Sequence, residues 1–155
     1  VRTLGIGPRS VEKALKSFRG LAHRSQIVTK ISGVVFINDS KATNVDSAMK
    51  SLETFPKVRW ICGGEQKEKD ISRLNKVLNN VKKAYVIGTK SAKFSSQISC
   101  EFEICNTMDV AVKKAFSEAK SGETVLLAPA AASFDQYSSF EERGMAFEHE
   151  IKKLM

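Results

Sequence analysis

The stretch "FINDSKATN", Phe36 to Asn44, places an amide, a carboxylate, a hydroxyl, an ammonium and a second hydroxyl directly after the apolar run "GVVFI". A helical pattern, "VDSAMKSLETF", begins at once behind it. If Thr43 or Asn44 caps that helix, free amide hydrogens and the positive helix end lie beside Lys41, an arrangement that attracts an oxyanion. Asp39 could accept hydrogen bonds from ribose hydroxyls or order Lys41. A plain helix cap with solvated charges explains the same residues.

Two further stretches carry donors and small residues. "GGEQKEKD", from Gly63, offers two glycines for close backbone approach and Lys67 as a positive charge. It is not a phosphate-binding P-loop, because Gln66 stands where a glycine must precede the lysine. "APAAASFDQYSSFEERG", from Ala128, surrounds Ser133 with small side chains that leave its hydroxyl open to a carboxylate. Ser133 is no nucleophile: there is no GxSxG elbow, and the chain has two histidines in all. Solvated or tight structural loops are the plain alternatives for both stretches.

The elements that must position these loops follow from periodicity. "VRWICGG", "KAYVIGT" and "TVLLAPA" are short apolar runs ending in Gly, Pro or small residues, as buried parallel strands do. "QIVTKISGVVFIND" predicts two strands joined by a tight bend at Gly33, and "EFEIC" a weaker strand. Between them lie helical patterns: "SVEKALKSFRGL", with Val11, Leu15 and Phe18 on one face and Ser10 as N-cap; "VDSAMKSLETF"; "ISRLNKVLNNV"; and "MDVAVKKAFSEAK". A last helix, "FEERGMAFEHEIKKL", opens with a capping box of Ser139 and Glu142 and aligns Phe140, Phe147, Ile151 and Leu154. The expected fold is therefore α/β: a doubly wound, mostly parallel open sheet, Rossmann-like, with one early antiparallel hairpin strand and helices on both faces. In such sheets ligands bind at the loops after the carboxyl ends of the strands, which puts Thr43, Lys67 and Ser133 on one rim. A small dicarboxylate or a phosphate matches that set of donors.

At 155 residues and 42% apolar content, the chain suits one domain with its own core. The net charge of +8 is uneven: residues 1–34 hold +6, from Arg2, Arg9, Lys13, Lys16, Arg19, Arg24 and Lys30 against Glu12, and the rest only +2. That basic end suits a phosphate-bearing ligand, an acidic neighbour or simple solvation, and no nucleic-acid-binding motif accompanies it. Cys62, Cys100 and Cys105 form neither a zinc pattern nor a disulfide framework and read as free thiols of a reducing compartment. The longest apolar stretch, "VLLAPAAASF", is about half of a membrane span. The expectation is a cytoplasmic monomer that binds neither nucleic acid nor membrane. Val1 in place of a starting Met, before "TLGIGPRS", reads as a fragment cut at a linker.

The strings "HRSQIV", "FINDSKATN", "ICGGEQK" and "LLAPAAASFDQYSSFEERG" resemble, in order and approximate spacing, the C-terminal domain of the Mur ligases of bacterial peptidoglycan synthesis. Within that family they are most similar to the branch that adds D-glutamate to UDP-MurNAc-L-alanine. The resemblance covers essentially the whole chain, with residues 1–8 as a linker remnant and 9–155 as the amino-acid-binding domain. It implies an ATP-dependent, amide-forming ligase that proceeds through an acyl phosphate and releases ADP and phosphate. The ATPase and UDP-sugar domains are missing from the chain, and the Mg2+ ligands belong to the former, so the isolated domain is expected to be inactive.

By motif, Thr43 and Lys67 would hold the side-chain carboxylate of D-glutamate, and Ser133 with the Phe140 backbone its α-carboxylate. Arg24 would reach the ATP phosphates, and Asp39 the ribose or adenine side of the nucleotide. Lys41 would lie near the phosphoryl or carboxylate oxygens as an electrostatic catalytic group, and His23 would be structural. Glu65, Gln66 and Tyr137 depart from residues common in the family, namely aspartate, glycine and phenylalanine. A sibling ligase for another amino acid, or a stand-alone nucleotide- or anion-binding module, is the competing expectation.

Overall fold

The computed structural model describes residues 5–17 and 20–155. Phe18, placed on the apolar face of the first helix, Arg2 and Arg19 of the basic cluster, and the first four residues of the linker lie outside the described residues. A single sheet of six strands organises the molecule, in the spatial order β1-β2-β6-β3-β4-β5. These are β1 (Gln26–Ile31), β2 (Val34–Asn38), β3 (Val58–Gly63), β4 (Val81–Ile87), β5 (Phe102–Asn106) and β6 (Thr124–Leu127). Only the β1–β2 pair is antiparallel, joined across Ser32 and Gly33, both at positive φ. The other pairs are parallel, with Trp60 opposite Leu126 on one side and Ala84 on the other.

Strand alternation explains why both faces are covered. Trp60, Cys62, Ala84, Val86 and Leu126 point to one face, where they pack with α2 (Val45–Thr54), the segment Ser72–Asn80 and Phe94 of α3 (Ser91–Ser95). Ile61, Tyr85, Ile87, Val125 and Leu127 point to the other, against α4 (Met108–Glu118) and α5 (Phe140–Lys152). Residues buried on both faces are what a near-continuous apolar strand such as "VRWICG" requires. At the amino end of β3, Arg59 sits in a polar cluster. Its Nε donates to Glu123 at 2.7 Å, and its terminal nitrogen donates to the Tyr85 hydroxyl at 2.9 Å and to Glu118 at 3.2 Å.

The local structure sharpens or departs from expectation in four places. Ser72–Asn80 is a 3₁₀ helix, a type that the helical pattern "ISRLNKVLNNV" leaves open. It ends where the Asn80 amide donates to the Leu52 and Phe55 carbonyls, at 2.7 and 2.6 Å. The first helix, α1, begins at Pro8 rather than after Ser10, since proline at the first position loses no intrahelical bond. None of its residues is buried, and Leu15, expected on an apolar face, is 70% exposed. The capping box at α5 is half formed. Ser139 Oγ accepts from the Glu142 N–H at 3.1 Å, but the Glu142 carboxylate turns to Ser138, accepting from its N–H and its hydroxyl at 2.7 and 2.6 Å. Those bonds hold the Glu142 carboxyl below its ordinary range.

Candidate functional site

The loops that follow β2, β6 and β3 leave three adjacent strands at their carboxyl ends. They are hydrogen-bonded to one another. Ala130 N–H donates to the Ala42 carbonyl at 2.9 Å, and Gly63 N–H donates to the Pro129 carbonyl at 2.9 Å. Glu65 and Ala132 exchange both backbone bonds, at 2.9 and 2.8 Å. Ala130 holds φ at +57°, a left-handed conformation costly for a residue with a Cβ and kept here by its neighbours. The glycines serve this stitching. A Cβ at Gly63 would lie 2.2 Å from the Ile87 oxygen, and one at Gly64 would lie 2.4 Å from the Ala132 oxygen. The close approach expected of them is thus made to neighbouring backbone, the end of β4 for Gly63 and the loop after β6 for Gly64.

Beneath the rim lies Arg143, 1% exposed and absent from the residues singled out by sequence. Its Nε donates to Ser40 Oγ at 3.0 Å, and its two terminal nitrogens donate to the carbonyls of Ser40, at 2.9 Å, and Ala131, at 3.1 Å. Its acceptors are all neutral. Burial therefore pulls the guanidinium down to about 10, against the pull of Asp135 and Tyr137. Ser40 Oγ donates in turn to the Phe140 carbonyl at 2.8 Å, tying the start of α5 to the β2 loop. An arginine inside a helical pattern gives no sign of burial, because its partners lie 12 and 103 residues away.

Asn44, and not Thr43, caps α2: its Oδ1 accepts from the Ser47 N–H at 2.9 Å. The first helical amide, Val45 N–H, donates to the Glu68 carboxylate at 3.3 Å. Two of the amides expected to attract an oxyanion are therefore met by side chains of the protein. Thr43 sits half-buried beside them after a sharp turn in which its N–H donates to the Lys41 carbonyl at 2.8 Å. Lys67 is exposed on the neighbouring loop, two residues beyond the Glu65–Ala132 bridge. Ser133, 2% exposed, follows that bridge on the other strand, and its carbonyl accepts from the Gln136 and Tyr137 N–H groups. Phe140 opens α5, where its N–H has no intrahelical acceptor. The Gln66 amide is buried without a hydrogen-bond partner.

Around the other side of the β2 loop, a cleft of about 250 Å³ gathers Arg24, Asp39 and Lys41, with Lys50 and Ser51 of α2. Asp39 does not order Lys41. One of its oxygens accepts from the Ser25 N–H at 3.2 Å and the other from the Ser51 hydroxyl. Lys41 lies instead over the Phe140 ring, its Nζ 3.8 Å from the centroid, a cation–π contact that joins the cleft to the start of α5. His23, at φ +59° and 9% exposed, accepts from the Lys41 N–H through its carbonyl at 3.0 Å. Its Nδ1 lies 2.9 Å from the Asn38 amide nitrogen, which also donates to the Gly144 carbonyl at 3.1 Å and to Glu148 at 2.9 Å. The ring thus supports the backbone that carries Arg24 and Lys41. Among the described residues no three carboxylate, imidazole or thiolate groups converge as metal ligands, and no helix is long and apolar enough to cross a membrane.

Compared with known proteins, the chain is 56% identical over 154 residues to the UDP-N-acetylmuramoylalanine--D-glutamate ligase of Ruegeria pomeroyi, covering 99% of this chain and 33% of the relative. The enzyme of the same name from Cereibacter sphaeroides is also 56% identical, over 155 residues, with the same coverage. The chain therefore spans about a third of the length of the curated relatives it matches. Among solved structures, MurC of Thermotoga maritima aligns with a TM-score of 0.66 at 15% identity, covering 99% of this chain and 35% of that one. MurF of the same organism, in complex with ADP, aligns with a TM-score of 0.63 at 20% identity, covering 94% and 37%. At those identities the two structures speak for the fold, which is that of the expected α/β sheet. The family described as "Mur ligase, glutamate ligase domain" matches residues 23–131, and the chain belongs to the Mur ligase family through that domain.

Proposed function

We propose that the chain is the D-glutamate-binding part of an ATP-dependent ligase that joins D-glutamate to UDP-MurNAc-L-alanine. The observation that supports this reading is the stitched rim, whose three cross-bonded loops carry Thr43, Lys67 and Ser133. Thr43 and Lys67 form one group, for the side-chain carboxylate. Ser133 and the Phe140 N–H form the other, for the α-carboxylate. A ligand with two carboxylates some carbons apart meets both, and a monocarboxylate such as alanine meets one. The relatives named for D-glutamate addition support the same choice.

In this reading ATP supplies the phosphoryl group that activates the UDP-sugar carboxylate as an acyl phosphate, with ADP and phosphate released. The residues of this chain bind and orient. Arg24 and Lys41 neutralise phosphoryl oxygens at the cleft, and Asp39, already held by Ser25 and Ser51, presents its remaining lone pairs to the nucleotide ribose or adenine side. Their cationic, hydrogen-bonding character fits a nucleotide, whose transfer chemistry gains chiefly from positioning and charge stabilisation. Lys41 also meets Phe140, so the nucleotide cleft and the amino-acid rim share one side chain. Mg2+ and the UDP sugar would be held by parts of the protein outside this chain. The chain alone would not turn over, and the whole enzyme would act as a cytoplasmic monomer.

The test is made in the full-length gene product by following phosphate release. Release should require both D-glutamate and the UDP sugar; equal turnover with L-lysine or L-alanine sinks the assignment. Loss of one charge-assisted bond to a carboxylate should cost about 1.5–3 kcal/mol, so Lys67→Ala should raise the KM for D-glutamate at least about tenfold. The KM for ATP should stay nearly constant, and a parallel rise in both would remove Lys67 from the amino-acid site.

A further inference from the structure

Lys50 is the charged side chain of the cleft that the Mur ligase resemblance leaves without a role. Ser47, Lys50, Ser51 and Thr54 recur at helical spacing along α2 and line the cleft together. A lysine four residues after an aspartate is placed to pair with it on a helix. Here Asp46 is taken by Arg73 at 3.0 Å, and Lys50 faces the cleft. Among the described residues, Arg24, Lys41 and Lys50 have no carboxylate partner within 4.0 Å. Asp39, the one acidic group of the cleft, is engaged by Ser25 and Ser51. Three cations around one small concavity produce a focused positive potential, whereas a single solvated lysine does not.

We propose that Lys50 is a third phosphate-binding cation of this cleft, meeting the polyphosphate chain of a nucleoside triphosphate beside Arg24 and Lys41. The proposal rests on the nucleotide reading of the cleft given above. The volume of about 250 Å³ accommodates part of such a ligand, and the phosphate chain is the part that three cations would select.

The test titrates the 155-residue chain with inorganic tripolyphosphate at low ionic strength, by calorimetry and by amide shifts at Ser25, Ser47 and Ser51. Lys50→Ala should weaken binding about five- to tenfold, an effect that fades with added salt. Lys50→Arg should restore most of the loss, and Lys76→Ala, on the exposed side of the 3₁₀ segment, should bind as the parent does. Lys50 is exposed, so equal thermal midpoints are expected for parent and variant. If Arg24→Ala weakens binding and Lys50→Ala matches Lys76→Ala, the role of Lys50 is overturned while the nucleotide cleft stands. If tripolyphosphate does not bind, or if Arg24→Ala, Lys41→Ala and Lys50→Ala are all without effect, the nucleotide reading falls along with it.

Discussion

Replacing Gly144 by alanine sets two effects of opposite sign against each other. Gly144 lies inside α5, where alanine is favoured over glycine by about 1 kcal/mol of helix propensity. A Cβ at that position would, however, lie 2.3 Å from His23 Nδ1 and 2.9 Å from two ring carbons. The ring has no easy retreat. Its Nδ1 faces the Asn38 amide, and its backbone is held at both ends, by Gln26 at 2.8 Å and Lys41 at 3.0 Å. Overpacking of this kind costs about 1–3 kcal/mol, and a lost hydrogen bond at Asn38 adds about 1 kcal/mol. The clash therefore wins, and Gly144→Ala should destabilise the chain by about 2 kcal/mol, lowering its melting temperature by about 4–8 °C. Urea unfolding followed through Trp60, the single tryptophan and fully buried, measures this directly. The double variant isolates the cause: in a His23→Ala background the same Gly144→Ala change should stabilise by about 0.5–1 kcal/mol, as propensity alone requires. A single variant as stable as the parent, or one equally harmful in both backgrounds, would refute the steric argument.

Arg143→Met should cost about 3 kcal/mol in a denaturant titration, because it strands the Ser40 and Ala131 carbonyls in a buried site; a cost below about 1 kcal/mol would show that water replaces the guanidinium there. The Lys83 hydrogen bond, opposed by partial burial and reinforced by Tyr85 and Arg59, holds the Glu118 carboxyl below its ordinary value of 4.5. A lowered folded-state value means stability that is complete above 4.5 and lost as the pH falls through the folded value. The urea midpoint of Glu118→Gln should accordingly fall less steeply between pH 5 and pH 3 than that of the parent, and parallel curves would remove Glu118 from the acid response.

The order of strands and helices could be read in the sequence because buried parallel strands and amphipathic helices leave different periods, as in "VRWICG" against "VDSAMKSLET". Ser72–Asn80 was harder, since apolar residues three and four apart suit a 3₁₀ and an α-helix alike. The rim was legible from topology: loops after three strand ends must share an edge once the sheet is parallel. Its internal wiring was not. Arg143 is a charged residue whose environment is made entirely of distant neutral acceptors, and no local pattern announces that. The Gly63–Gly64 pair was visible, but whether glycines make room for a ligand or for neighbouring backbone depends on what approaches them. Asp39 likewise showed its carboxylate, while its partners Ser25 and Ser51 are assigned by packing.

The cross-bonded rim bears on how the domain can change over evolution. Ala42, Ala130, Pro129, Gly63, Glu65 and Ala132 hold one another through backbone groups, so a change of length in any one of the three loops would be felt in the other two. Their lengths should drift together or not at all. Side chains that project from this frame are under no such constraint: Lys67 and Phe134, the latter 68% exposed, can be exchanged without disturbing a shared bond. If the rim holds the amino acid as proposed, new preferences would arise by single substitutions at projecting positions on a fixed frame, and loop insertion would be a poor route to them.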